Sequence, residues 1–522
     1  MISTRLVRSR VAFALLLALT AILPIAAQKT ADCTVRVTLL QVNDVYQFAP
    51  VEGGKRGGLA RVSALRRKIM AESPHTLFLL AGDTISPSVE SITYKGRQMI
   101  DAWNVSELDY ATFGNHEFDF GPDVLRERMS ESRFKWLAAN VVDKKSGKTF
   151  ADTPEFIIRE FEGVKIGIFG LTLPETKTTS KPGPDVDILD PCTTATHVVP
   201  LIRARGAQVV IALTHLSMQE DKQLARCSGV DVIIGGHEHT LLESMAGHAP
   251  IFKMTADARE LGRIDLNISK TTGQLQSIDW EVIPVTDQLP SDPNFASLDS
   301  KYGSLLRELE QGVGHTDVEL DARSALGRTR ETNIGDFVAD AFRAATGADV
   351  AIMNGGSIRA DEVIKPGDLA RRDVLSLLPF KNRVVKLEIT GATLRAALEH
   401  GVARSAEDAE PGRFPQVSGI RYVFDAGRKP GSRITSVTLN GKPLDDRKTY
   451  TLATTDYVAL DGGDGYDMFK SAKMLITREQ GEFDSDVVQK AISSVRAIAP
   501  KTDGRITRLD KPAGQKSDCA ER

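Results

Sequence analysis

Cysteine is scarce in this chain. Its 522 residues contain four, Cys33, Cys192, Cys227 and Cys519. None of their spacings is that of a zinc knuckle, and so few exclude a disulfide-dense small scaffold. Net charge is lacking too: 66 basic against 69 acidic residues leave −3, with no long run of either sign. That excludes the electrostatic footprint of a nucleic-acid binder or a membrane-surface protein. Repeats and low-complexity segments are absent, which excludes solenoids and propellers. Histidine is rare, nine in all.

What is present is the composition of a globular protein, 41% apolar and 26% charged. The length calls for two or three domains. The first residues stand apart. Met1 to Arg10 carry three arginines and no acid, Val11 to Leu23 are almost wholly apolar, and Pro24-Ile25-Ala26-Ala27-Gln28 follows. A basic flank, an apolar core too short to span a bilayer and a small-residue exit describe a secretory signal peptide over 1–27, cleaved after Ala27. An uncleaved anchor is the alternative. No cysteine directly follows the exit, which argues against a lipoprotein signal. The expected location is therefore exported, periplasmic or extracellular. Cys192 and Cys227 both flank helices and are the favoured pair, while Cys33 and Cys519 lie near the mature termini, free or paired with each other.

From Val35 the chain alternates short apolar runs with amphipathic stretches. Strands are predicted over Val35–Val42, Thr76–Leu80, Tyr110–Phe113, Phe134–Val142, Lys165–Leu171, Gln208–Leu213 and Val230–Ile234, with a helix over Leu59–Met70. Continuous apolar runs in alternation with helices argue an α/β layered domain, taken as 33–290. Ser297–Gln311 reads as one exposed, charged helix inside a linker of 291–314. A second domain is expected over 315–510 and a polar tail over 511–522. In it, helices are predicted over Asn333–Thr346, Gly367–Leu378, Ala392–Val402 and Asp484–Ala497, and strands over Asp349–Met353 and Val384–Ile389. Gly347 supplies a stop for the first of these helices.

The chemistry gathers where the strands of the first domain end. Asp44, Asp83, Asn115 with His116, His215, and His237 with His239 each follow a separate apolar run. Four of the nine histidines occupy these places, which is not a random scatter. A lone strand-end histidine is usually structural, and a lone aspartate there is often a cap. Together these groups form a mixed nitrogen and oxygen donor set that suits zinc, manganese or iron, and they outnumber the needs of one four-coordinate ion. Two ions bridged by one carboxylate is the economical reading. Such a pair shares a water and neutralises the oxygens of a phosphoryl group. His116, if Asn115 beside it is the ligand, is free for acid–base work, with Asp119 to orient it.

Asn43-Asp44, Gly82-Asp83, Gly114-Asn115-His116-Glu117, Thr214-His215 and Gly236-His237-Glu238-His239 resemble the signature of calcineurin-like metallophosphoesterases. Arg330-Glu331-Thr332-Asn333, Asn354-Gly355-Gly356-Ser357-Ile358-Arg359, Leu378-Pro379-Phe380 and Gly462-Gly463-Asp464-Gly465 extend the likeness to the secreted 5′-nucleotidase and UDP-sugar hydrolase family, over nearly the whole mature chain. The resemblance implies a four-layer α/β/β/α metallophosphoesterase domain followed by a smaller α+β substrate-binding domain. It implies two divalent ions, zinc or manganese, with Asp83 bridging, Asp44 and His239 on the first, and Asn115, His215 and His237 on the second. It implies a His116–Asp119 catalytic dyad. Arg330 and Arg359 would grip the phosphate, Asn354 touch the base, Phe380 stack on it and Asp464 bind the ribose. The implied partner is a small nucleotide or related phosphoester, with no nucleic acid, no membrane in the mature form, and the oligomeric state open.

Two positions depart from the family pattern. Most relatives carry Asp-x-His at the first strand end, whereas this chain has Asp44-Val45-Tyr46. A neutral phenol is a poor ligand beside imidazole. Tyr46 then leaves the first site to water, weakens its metal binding, turns it toward a harder ion such as manganese, bonds a substrate phosphate or simply packs over the site. An aromatic expected six residues before Asp464 is Val458 here, beside Tyr457. Either Tyr457 completes the clamp on the base, or Phe380 stacks alone. The expected activity is phosphate release from nucleoside 5′-monophosphates, extending to UDP-sugars or cyclic nucleotides. The alternatives are a metallophosphoesterase of non-nucleotide substrates and a binding protein with a degraded metal site.

Overall fold

The computed structural model describes residues 33–405 and 411–510. The expected signal peptide, the polar tail and Cys519 lie outside the described residues. In chain order the first domain has β1 (Thr34–Val42), α1 (Leu59–Glu72), β2 (Thr76–Leu80), α2 (Arg97–Val105), β3 (Tyr110–Thr112), α3 (Pro122–Glu131) and β4 (Lys135–Leu137). Then come β5 (Phe156–Phe161), β6 (Val164–Thr172), α4 (Pro191–Ala204), β7 (Val209–His215), α5 (Met218–Cys227), β8 (Val232–Gly235), β9 (Leu242–Ala246), β10 (Ala249–Lys253), β11 (Glu260–Ser269) and β12 (Leu275–Pro284).

They build two six-stranded sheets, ordered β12-β11-β1-β2-β3-β4 and β9-β10-β8-β7-β6-β5. The central strands run parallel, β1 to β2 to β3 to β4 in one sheet and β6 to β7 to β8 in the other. Alternation along each strand sends one set of side chains inward and the other outward. Val37, Leu39, Leu77 and Leu79 meet Ile166, Ile168, Ile211 and Leu213 between the sheets. Leu40 and Phe78 face outward to Val62, Ile69, Met99 and Trp103 of α1 and α2. On the other side Phe169, Val210 and Ile233 meet Val198, Ile202 and Leu224 of α4 and α5. This is the four-layer α/β/β/α arrangement, and it explains why the strands read as continuous apolar runs. The Cys192–Cys227 disulfide joins α4 to α5, and Cys33 is free and exposed. No helix among the described residues is long and apolar enough to cross a membrane.

The single strand predicted over Phe134–Val142 is two, β4 and Val141–Asp143. Between them the chain changes partner: Asn140 donates its side-chain amide to the carbonyls of Thr172 and Leu189. The linker helix, α6 (Ala296–Glu308), is not wholly exposed. Leu298 and Tyr302, four residues apart and so on one face, are buried in the first-domain core, and the Tyr302 hydroxyl donates to Asp101 at 2.5 Å.

The second domain adds α7 (Asn333–Thr346), β13 (Val350–Asn354), β14 (Val384–Thr390), α8 (Gly391–Gly401), β15 (Pro415–Ser418), β16 (Thr449–Thr455), β17 (Lys473–Ile476) and α9 (Asp484–Ser493). Its five-stranded sheet is ordered β15-β13-β16-β14-β17. Gly347 ends α7 at φ 58°, as its sequence position implies. The helix predicted over Gly367–Leu378 forms only over Arg371–Leu377. Gly367–Ala370 instead pair as a strand with Gly312–Thr316, and Asp373 caps the true start by accepting from the Ala370 N–H at 2.7 Å.

Candidate active site

The ends of β1, β2, β3, β7 and β8 converge on one buried pocket. The residues that turn the chain there are strained: Asp44, Asp83, His237 and His239 hold φ values of 53°, 60°, 91° and 58°. Left-handed backbone at non-glycine residues costs about 1–3 kcal/mol each and clusters at functional sites. The adjoining glycines are steric necessities. A Cβ on Gly114 would lie 2.1 Å from Asp83 Oδ1, and one on Gly82 would lie 2.6 Å from His215 Nδ1.

Asp44, Asp83 and His215 form a fully buried cluster whose ligand atoms all lie within 4.8 Å. Asp83 Oδ2 is 3.1 Å from His215 Nε2, and Asp44 Oδ1 is 3.2 Å from His239 Nε2. Burial opposes ionisation of Asp83, yet His215 and His116 outweigh it and its carboxyl falls to about 2. The same carboxylates overcome burial at His215 and push it up to about 10. His237 contributes a neutral imidazole, burial holding it well below the usual histidine range. Asn115 Oδ1 is buried without a hydrogen-bond partner, and His215 Nε2 and His239 Nε2 face the carboxylates of Asp83 and Asp44. An orphaned amide oxygen and imidazole nitrogens gathered around two buried carboxylates fit divalent cations. Tyr46 is buried with them, its hydroxyl 2.9 Å from His239 Nε2 and 3.1 Å from Asp44 Oδ1.

His116 stands at the edge of this cluster. Its Nδ1 is 2.7 Å from Asp119 Oδ2, and Ser180 donates to Asp119 Oδ1 at 2.7 Å. Ser180 carries no motif in the sequence and is visible only in space. Glu117, between the motif residues, accepts backbone N–H groups of Asp83 at 2.9 Å and Thr84 at 2.7 Å, stitching the β2 and β3 ends together. A second brace lies beneath the other histidines. The buried Lys253 ammonium donates to the Leu216 carbonyl at 2.6 Å, the Gly236 carbonyl at 2.9 Å and Glu238 Oε2 at 2.6 Å, and pairs with Asp221 at 2.9 Å. Thr214 donates to the same Asp221 at 2.7 Å. One cation thereby ties the loop of His215 to the loop of His237 and His239.

The second domain covers the pocket. Arg359 lies 4.9 Å over the Tyr46 ring, and Phe380 is stacked 5.8 Å from the His116 ring. Arg328, Arg359, Phe380, Tyr457 and Asp464 line the cleft with Asp83, Asn115, His116, His237 and His239. Arg330 does not; it is exposed, and Arg328 takes the place expected for it. The short helix Ser324–Gly327 continues as a turn, with the N–H groups of Arg328 and Arg330 bonded to the carbonyls of Ser324 and Leu326. Residues two apart on such a turn point roughly 200° apart, so only one faces the cleft. Asn354 also departs from expectation. Its Nδ2 donates to Asp464 Oδ2 at 2.7 Å and its Oδ1 accepts from Ser357 at 2.6 Å, so both polar atoms are engaged within the domain and the side chain braces Asp464. Val458 is buried in the second-domain core, whereas Tyr457 lines the cleft with its ring packed on Gly463. Glu175 of the first domain pairs with Arg404 and Arg413 of the second at the cleft mouth.

Comparison with known proteins follows the same division. Residues 37–241 match the calcineurin-like phosphoesterase family, and residues 312–471 match the 5′-nucleotidase C-terminal domain. The chain is 30% identical to a snake venom 5′-nucleotidase of Crotalus adamanteus over 94% of its length and 92% of that protein. It is 32% identical over 92% of its length to the trifunctional nucleotide phosphoesterase YfkN of Bacillus subtilis, of which it spans 35%, about a third. A 5′-nucleotidase precursor from Thermus thermophilus superposes with TM-score 0.83 at 30% identity, covering 91% of this chain and 100% of that one. Calcineurin-like phosphoesterases use a dinuclear metal centre, and the Asp44–Asp83–His215 cluster is a candidate for it. On the strength of these matches the chain belongs to the 5′-nucleotidase family of calcineurin-like phosphoesterases, metal-dependent hydrolases of phosphoric esters.

Proposed function

We propose that the protein is an exported phosphohydrolase that releases phosphate from nucleoside 5′-monophosphates, with UDP-sugars and cyclic nucleotides as further candidates. The observation that carries this reading is a single cleft in which the Asp44–Asp83–His215 cluster, the His116–Asp119 pair, Arg359 and Phe380 come together. Asp83 would bridge two divalent ions, zinc or manganese, with Asp44 and His239 holding one and Asn115, His215 and His237 the other. When bound, such ions polarise the attacking water and neutralise the phosphoryl oxygens.

The remaining work falls to this chain's side chains. Arg328 and Arg359 hold the phosphate, since guanidinium forks match its oxygens. Asp119 engages His116 Nδ1, which leaves Nε2 to deliver a proton to the leaving oxygen. Ser180 fixes Asp119 in turn. Phe380 and Tyr457 provide aromatic faces for the base, and Asp464, braced by Asn354, accepts from ribose hydroxyls. Export is supported by the sequence of 1–27 and by the Cys192–Cys227 disulfide, which suits an oxidising compartment. The engagement of Asn354 with Asp464 favours one competing reading, a non-nucleotide phosphoester substrate, because the amide expected at the base is turned onto a side chain of its own domain.

A phosphate-release screen over nucleotides, nucleotide sugars, cyclic nucleotides and aryl phosphates, with manganese, zinc or cobalt, tests the proposal. Nucleoside monophosphates should lead, and His116→Ala should cut turnover about 10²–10⁴-fold while the metal content is unchanged. Turnover of aryl phosphates alone moves the substrate class, and no turnover with any metal sinks the catalytic reading.

A further inference from the structure

The Tyr46 hydroxyl makes more close contacts than a phenol can satisfy by hydrogen bonding. It lies 3.1 Å from Asp44 Oδ1, 3.3 Å from Asp83 Oδ2 and 2.9 Å from His239 Nε2. The two carboxylates, when ionised, only accept, and a phenol has one proton to give. With His239 donating to the phenol and the phenol donating to one carboxylate, the other carboxylate faces an oxygen with no proton between them.

A cation at the centre removes that conflict. Donor atoms bound to one ion at about 2.1 Å stand roughly 3.0–3.4 Å apart at octahedral or tetrahedral angles. The contacts of Tyr46 Oη with Asp44, Asp83 and His239, at 3.1, 3.3 and 2.9 Å, fall at or close to this range. So does the 3.2 Å between Asp44 Oδ1 and His239 Nε2. The ring is held for this placement: Arg359 lies on its face at 4.9 Å, and the Tyr46 N–H donates to Asp257 Oδ1 at 3.0 Å.

We infer that Tyr46 Oη is the fourth donor of the first metal site, with Asp44, Asp83 and His239. This rests on the dinuclear reading given above. The donor set becomes three oxygens and one nitrogen, so the site is tuned toward a harder ion, manganese or iron, over zinc. Tyr46 is therefore a metal-selecting residue and not a replacement by water.

Equilibrium dialysis against buffered free manganese, with bound metal counted by elemental analysis, tests the inference on the wild type, Tyr46→Phe and Tyr46→His. Two ions per chain are expected in the wild type, and Tyr46→Phe should keep one and bind the other at least about tenfold more weakly. Tyr46→His should restore two and shift the preference from manganese to zinc. Manganese binding should also change the near-ultraviolet tyrosine absorption of the wild type and of neither variant. Unchanged first-site affinity in Tyr46→Phe overturns the assignment. Should that variant fail to fold, an unaltered manganese-to-zinc ratio and absorption change in Tyr46→His overturn it instead. A wild type that takes up a single ion overturns the dinuclear reading itself.

Discussion

Replacing Lys253 with Met isolates a residue that no motif marks. The ammonium is 1% exposed and meets two carboxylates and two carbonyls at 2.6–2.9 Å. Asp221 and Glu238 more than offset the cost of its burial, so it stays charged. Met fills a similar volume, and the perturbation is one of charge. Breaking a buried pair from one side costs about 3–5 kcal/mol, because the partners remain buried and uncompensated. At about 2–4 °C per kcal/mol for a domain of this size, the first-domain transition should fall roughly 6–20 °C. Freed of the cation, Asp221 and Glu238 are driven further above their unfolded carboxyl values. A raised folded pKa gives stability that is present below the unfolded value and lost as pH rises through the folded one. The melting deficit of Lys253→Met should therefore be small near pH 4 and grow toward pH 8. The triple variant Lys253→Met, Glu238→Gln, Asp221→Asn removes all three charges and should recover most of the loss. Calorimetry across pH provides the assay. A Lys253→Met protein within about 1 kcal/mol of the wild type at pH 8 would refute the argument that this cation holds the two histidine loops together.

Three further outcomes are expected. Arg328→Ala should weaken inhibition by inorganic phosphate about 10- to 100-fold, near the 1.5–3 kcal/mol of a charged hydrogen bond, whereas Arg330→Ala should leave it unchanged; the reverse order would restore the role first read from the motif. Phe380→Ala and Tyr457→Ala should each raise KM for nucleoside monophosphates about 2- to 10-fold, the worth of an aromatic pair, and leave KM for a small aryl phosphate nearly alone. Burial, with repulsion from Asp456 and Asp486, pushes the Asp484 carboxyl up to about 8. Its folded value exceeds its unfolded one, so wild-type stability should decline as pH rises from about 4 to 8, and Asp484→Asn should flatten that decline in thermal melts.

The legible part of this molecule is local. Thr76–Leu80 reads as a buried strand because all five side chains are apolar or small, and it is one, covered on both faces. Asn333–Thr346 announces its helix by periodicity and its end by Gly347, and both hold. The placement of the candidate donors is legible for the same reason, since each follows an apolar run that ends as a parallel strand at the sheet's edge. Failures occur where a side chain's direction depends on a distant partner. Gly367–Ala370 is a strand only because Gly312–Thr316 lies beside it. Tyr302 looks like part of an exposed helix until Asp101 and the first-domain core take it in.

The sequence by itself determined which chemical groups the protein owns and at which strand ends they stand, because strand termini follow from local hydrophobic pattern. The tertiary structure alone decided what each group faces. It turned Arg328 and not Arg330 to the cleft by the pitch of one helical turn, and Tyr457 and not Val458 because the core takes in the aliphatic side chain. It turned Asn354 onto Asp464 across 110 residues of chain. It set Lys253 beneath two histidine loops and placed the Tyr46 hydroxyl among Asp44, Asp83 and His239. Apart from Tyr46 with Asp44, those contacts join residues well separated in the chain, and no local pattern encodes a distance between them.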